Sequence, residues 1–152
     1  MQEIYNRVGS FSEEMLLHYA SPNQGLIVEI MQLDAAMLSS LTSQQLTQYV
    51  FVLGQYLVML QYNENLKTIQ HKLSQKTFEY NLNKTKFERE DVVGKTEKER
   101  NAWILLHVPE VKEYHDEALA LEAEKMLIHG MVRPVEGLLN ALKKEISGRY
   151  AE

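Results

Sequence analysis

The chain has no cysteine, which excludes disulfide staples, thiolate catalysis and cysteine-based zinc sites. Proline is scarce, and none falls between Pro22 and Pro109. Glycine is scarce too, with only Gly54 between Gly25 and Gly94. A stretch so poor in helix breakers permits a very long helix. No apolar run approaches the roughly 18 residues of a membrane span, so no membrane partner is expected. The opening MQEIYNRVGSF lacks the basic-then-apolar layout of a secretory signal. The expected location is cytoplasmic.

What the chain does have is apolar residues at alternating spacings of three and four. One row reads Leu46, Val50, Leu53, Leu57, Leu60, slips phase at Asn63-Glu64-Asn65, and resumes as Leu66, Ile69, Leu73, Tyr80, Phe87. A second reads Val111, Tyr114, Ala118, Leu121, Ile128, Val132, Val135, Leu139, Leu142, Ile146, with Lys125 in the vacant place. Such rows mark helix faces buried against other helices. Tyr56, Tyr62, Tyr114 and Trp103, at or beside these rows, are expected in the core. Lys76 and Asn83 lie inside the first row and are candidates for polar positions that fix register and copy number. The expected fold is all-α: an elongated antiparallel helical hairpin, or coiled-coil-like bundle, over residues 42–152, with a short helical appendage over 1–41. Two helices of this reach expose more apolar surface than one partner covers, so the chain is expected to associate with itself as a homo-oligomer.

Local signals place the boundaries. Ser12-Glu13-Glu14 opens a short helix to Ala20, closed by the turn Pro22–Gly25. Leu26 to Leu33 fits a short strand or an apolar helix by periodicity, and its continuation through Ala35-Ala36-Met37-Leu38 with good helix formers favours helix. Thr42-Ser43-Gln44-Gln45 is a capping box. The helix it opens runs to about Glu90, on the order of 70 Å at 1.5 Å per residue. A compact domain of this length is only roughly 40 Å across, hence the elongated expectation, with a bend at Asn63–Asn65. Val93-Gly94-Lys95 is a hinge, and Thr96-Glu97-Lys98-Glu99 is a second capping box. Pro109 suits the first turn of a last helix that reaches about Gly148, with Gly130, Pro134 and Gly137 as expected kinks.

Catalytic chemistry finds little support. Gly94-Lys95-Thr96 resembles the end of a phosphate-binding loop, but position 89, where that loop needs glycine, is Arg, and no strand precedes it. His18, His71, His107, His115 and His129 form no i,i+4 pair and no Glu-x-x-His pair of the di-iron type, so no metal or other cofactor is expected. Glu110, Glu113, Asp116, Glu117, Glu122 and Glu124 read as a solvent-facing surface rather than a pocket that perturbs carboxylates. The chain is not expected to be an enzyme.

Charge is the remaining signal. The net charge of −5 is unevenly distributed: residues 1–66 carry −5, residues 67–100 carry +3 and residues 101–152 carry −3. In the basic middle stand Lys67, Lys72, Lys76, Lys84, Lys86 and Arg89, with Phe78 and Tyr80 between them. Cations that hold phosphates beside aromatics that stack on bases suit a single-stranded nucleic acid. The alternative is a solvated helix face whose charges pair locally with Glu79 and Glu88.

Tyr49-Val50-Phe51-Val52-Leu53 through Tyr56-Leu57, then Lys72-Leu73-Ser74-Gln75-Lys76-Thr77-Phe78-Glu79-Tyr80, resembles the central helix of UvsY-type recombination mediators of tailed phages. The capped second helix and its tail, Leu138-Leu139-Asn140-Ala141-Leu142-Lys143-Lys144, fit the same layout. The resemblance covers residues 49–147 as pattern and order. It implies a non-enzymatic oligomer that binds single-stranded DNA and helps a recombinase displace single-strand-binding protein, in a host cytoplasm if the chain is phage-encoded. The competing expectation is a helical interaction adaptor, such as a small phage factor that binds a host or phage protein through its apolar N-terminal segment and binds no nucleic acid.

Overall fold

The computed structural model describes residues 6, 7, 9–11 and 23–151. From residue 23 onward its helices are α1 (Gln24–Met31), α2 (Ala35–Leu38), α3 (Ser43–Glu88), α4 (Glu97–His107) and α5 (Pro109–Tyr150). There is no strand among the described residues, and α3 packs against α5 as a helical hairpin. The helix expected over residues 12–20 lies outside the described residues.

Side-chain caps set the starts of α2, α3 and α4. Thr42 Oγ1 accepts from the Gln45 N–H at 3.2 Å, and Gln45 Oε1 accepts from the Thr42 N–H at 2.9 Å. Thr96 and Glu99 form the same reciprocal box at α4, where Glu99 also accepts from the Lys95 N–H at 2.7 Å. Each box satisfies two backbone donors that a helix start leaves without partners. Gly94 precedes it at φ +150, a conformation open to glycine alone. The run expected as one helix through Leu38 is two: Asp34 takes extended backbone and accepts from the Met37 N–H at 2.9 Å. Its carboxylate caps α2, three residues after α1 has ended at Met31. Through Asn63–Asn65, by contrast, α3 runs unbroken.

The chain divides into two compact units. One comprises Gly9–Asn65 and Met126–Glu152. Its core sets Leu46, Tyr49, Leu53, Tyr56 and Leu60 of α3 against Ile128, Val132, Val135, Leu139 and Leu142 of α5, with Ile27 and Ile30 of α1 laid alongside. Burying each such aliphatic side chain stabilises by about 1.5–3 kcal/mol. The helices are antiparallel here. Arg149, late in α5, donates to the carbonyls of Leu41 (2.7 Å), Ser39 (3.1 Å) and Leu38 (3.2 Å) ahead of α3. Gln61 and Glu136, then Glu64 and His129, join later α3 to earlier α5.

The other unit comprises Met1–Val8 and Leu66–Lys125. Leu82, Ile104, Val108 and Val111 form its small apolar core, flanked by Phe78, Val92, Trp103 and Leu105. Toward residue 67 its interior is charged. Lys67 Nζ lies 2.6 Å from Glu124 Oε2, and Arg7 Nε lies 2.8 Å from Glu124 Oε1 while its other nitrogens hold Glu117.

Three expectations are corrected. Glu124 is not on the solvent face; it is 2% exposed. It stands three residues after Leu121 and four before Ile128, the inward place that the sequence reading gave to Lys125. Of the expected core aromatics, Tyr56 is buried, but Tyr62 and Tyr114 are exposed and Trp103 is half-buried. The largest correction concerns the lower half of the first row. Leu66, Ile69, Leu73, Tyr80 and Phe87 are exposed, as are Lys76 and Asn83. The inward positions are Asn63, Lys67, Gln70, Ser74, Phe78 and Leu82. An unbroken helix keeps its facing side in one phase, set above by Leu46, Tyr49, Leu53, Tyr56 and Leu60. Residues 66, 69 and 73 lie one position before 67, 70 and 74, which rotates them by about 100° toward solvent.

Candidate interaction face on the third helix

The cations proposed for phosphate binding do not act as a set. Lys67 is turned inward to Glu124. Lys86 Nζ sits 3.0 Å from Glu97 Oε1, and that contact holds the Glu97 carboxyl below its ordinary range. Arg89 grips both oxygens of Asp91, at 2.9 and 2.6 Å, with its guanidinium 5.7 Å from the Trp103 ring centroid. This bidentate bond likewise holds the Asp91 carboxyl low. Lys84 Nζ reaches Glu88 at 4.0 Å, the local pairing weighed above; Lys67, Lys86 and Arg89 instead use acids outside α3. Lys72 and Lys76 are exposed and make no ion pair among the described residues. Of the two aromatics, Phe78 packs edge-on against His115 at 5.1 Å, half-buried beside the apolar core. Tyr80 is exposed. The structure therefore brings Lys72, Lys76 and Tyr80 together in an i,i+4 row and directs Lys67, Lys86, Arg89 and Phe78 elsewhere.

The larger feature of the same helix surface is apolar. Leu66 is 38% exposed, Ile69 58%, Leu73 61%, Tyr80 67% and Phe87 93%. With Lys76 and Asn83 they occupy positions 66, 69, 73, 76, 80, 83 and 87, an unbroken alternation of three and four. This spacing keeps seven side chains on one seam over three heptads. Isolated exposed leucines are ordinary, but five large apolar side chains repeated along one helix face mark a surface that meets another. The row was visible in the sequence; its place at the surface was not.

Gly94-Lys95-Thr96 forms the α3–α4 turn, with the Thr96 hydroxyl engaged in capping. Among the described residues no group of three or more His, Asp or Glu is placed to hold a metal ion. No helix among them is long and apolar enough to cross a membrane. No family model, curated protein or solved structure matches the chain.

Proposed function

We propose that this chain is a non-enzymatic interaction protein whose working part is the α3 face from Leu66 to Phe87, presented to another helix. The observation that carries the reading is the exposure of five large apolar side chains in heptad register. Helix-in-helix docking is read from anchors at such spacing. The charges beside the row are in large part neutralised by the protein's own carboxylates, through Lys86–Glu97 and Arg89–Asp91, which weakens the surface as a phosphate track.

A second reading keeps one specific support. Lys72, Lys76 and Tyr80 share an open row, the minimum for gripping a phosphate backbone and stacking one base. On that reading the chain is an oligomeric single-stranded-DNA-binding recombination mediator that loads a recombinase against single-strand-binding protein. Titration of a fluorescent single-stranded oligonucleotide across a salt series separates the two. The interaction protein shows no binding at any salt. Tight binding that falls steeply with salt, and that Lys72→Glu with Lys76→Glu abolishes, overturns it in favour of the mediator.

A further inference from the structure

We propose that the occupant of the α3 face is the same face of a second copy, laid antiparallel about a two-fold axis between Ser74 and Gln75. The proposal rests on the helix-docking reading above and names the partner. Leu66, Leu73, Tyr80 and Phe87 form one set of seam positions, and Ile69, Lys76 and Asn83 form the other.

In a parallel pair, equivalent positions meet, so Lys76 faces its own counterpart in the middle of the seam and two like charges are forced together. In an antiparallel pair the two sets interleave. Leu73 then meets Lys76, Ile69 meets Tyr80, and Leu66 meets Asn83. Each Lys76 stem lies along a leucine while its ammonium reaches water at the edge.

The flanks agree with this arrangement. Lys72 of each copy comes opposite Glu79 of the other, giving two equivalent attractive pairs from side chains that are exposed in the single chain. Lys72, Gln75, Lys76 and Glu79, spaced i, i+3, i+4 and i+7, surround a hollow of about 250 Å³ beside Leu73. Four of the five apolar side chains of the row are more than half exposed, so a second copy has apolar area to bury toward the roughly 800 Å² per partner of a stable interface. The same patch is used on both copies, so the assembly closes as a dimer.

Absence of native cysteine lets introduced thiols report the orientation. Leu73→Cys protein carrying a size tag is mixed with untagged Lys76→Cys protein and oxidised. The expected product is the tagged–untagged dimer, because these two positions meet across the axis within disulfide reach. Ile69→Cys that cross-links to itself shows a parallel pair and overturns the proposal. Absence of cross-linking in every arm overturns self-pairing altogether.

A charge series tests the same register without thiols. Lys72→Glu alone is expected to weaken dimerisation on the order of tenfold, and adding Glu79→Lys restores it. A double variant no better than the single one overturns the pairing. Failure of self-pairing leaves the helix-docking reading to the oligonucleotide titration of the native chain, whose outcome does not depend on the Lys72 and Lys76 variants.

Discussion

Glu124 is a carboxylate 2% exposed, held by Lys67 at 2.6 Å and Arg7 at 2.8 Å, and its partners differ in how easily they reach water. The Lys67 side chain keeps 17% of its surface exposed and Arg7 keeps 40%. Removing Lys67 leaves a buried anion with one of its two cations. Loss of one partner from a buried pair costs about 3–5 kcal/mol, and the remaining Arg7 places Lys67→Met near the lower bound, about 3 kcal/mol. Removing the carboxylate is different. In Glu124→Met the Lys67 stem extends to solvent and Arg7 retains Glu117, so the cost is expected below about 1 kcal/mol. The double replacement is expected within about 1 kcal/mol of the native chain, or more stable than it. Urea unfolding followed by helical circular dichroism measures all three. At about 2–4 °C per kcal/mol for a chain of this size, Lys67→Met melts roughly 6–12 °C lower. If Glu124→Met costs as much as Lys67→Met, the carboxylate contributes net attraction and the reasoning from desolvation is refuted.

Two further predictions follow from single residues. Gly94→Ala places a Cβ 2.7 Å from the Arg100 nitrogen at φ +150 and is expected to cost about 1–3 kcal/mol; Gly54→Ala, whose Cβ meets nothing within 4 Å, is expected to stabilise α3 by about 0.5–1 kcal/mol, so a thermal melt raised by the first or lowered by the second contradicts that assignment. The Tyr49 hydroxyl donates to Glu29 at 2.7 Å, and that bond, with burial, raises its pKa, as burial alone raises that of Tyr56. The folded state thus favours the protonated phenols: their contribution is complete below the unfolded value of about 10 and is lost as pH rises through the higher folded values. Tyr49→Phe is expected to flatten the alkaline decline in melting temperature above pH 10, and an unchanged decline contradicts the assignment.

What the sequence made legible was local or strongly periodic. Both capping boxes rest on a hydroxyl and a Gln or Glu three residues later, and both formed as read. The α5 face was legible because apolar residues hold nearly every inward place. The lower half of α3 was not, because two rows one residue apart compete there, Leu66-Ile69-Leu73 and Lys67-Gln70-Ser74. Choosing the apolar row as the inward one is the better rule of thumb. It failed because the helix runs unbroken from its upper half and because Glu124, 57 positions along the chain from Lys67, supplies a partner that makes a polar interior tolerable. Pairing across such distances leaves no periodic trace. The Lys86–Glu97 pair escaped because Glu97 lies beyond the end of α3, and Arg89 turns to Asp91 because both stand in the turn that follows that helix.

The central proposal is that the Leu66–Phe87 face pairs with the same face of a second copy. Sedimentation equilibrium at tens of micromolar tests it most directly, with the native chain beside an Ile69→Glu, Leu73→Glu variant. The native chain is expected at twice the 17.6 kDa of a single copy, and the variant at one copy with unchanged helical circular dichroism, since both replaced side chains are more than half exposed. A native chain that sediments as a monomer, or a variant that keeps the native mass, contradicts the account.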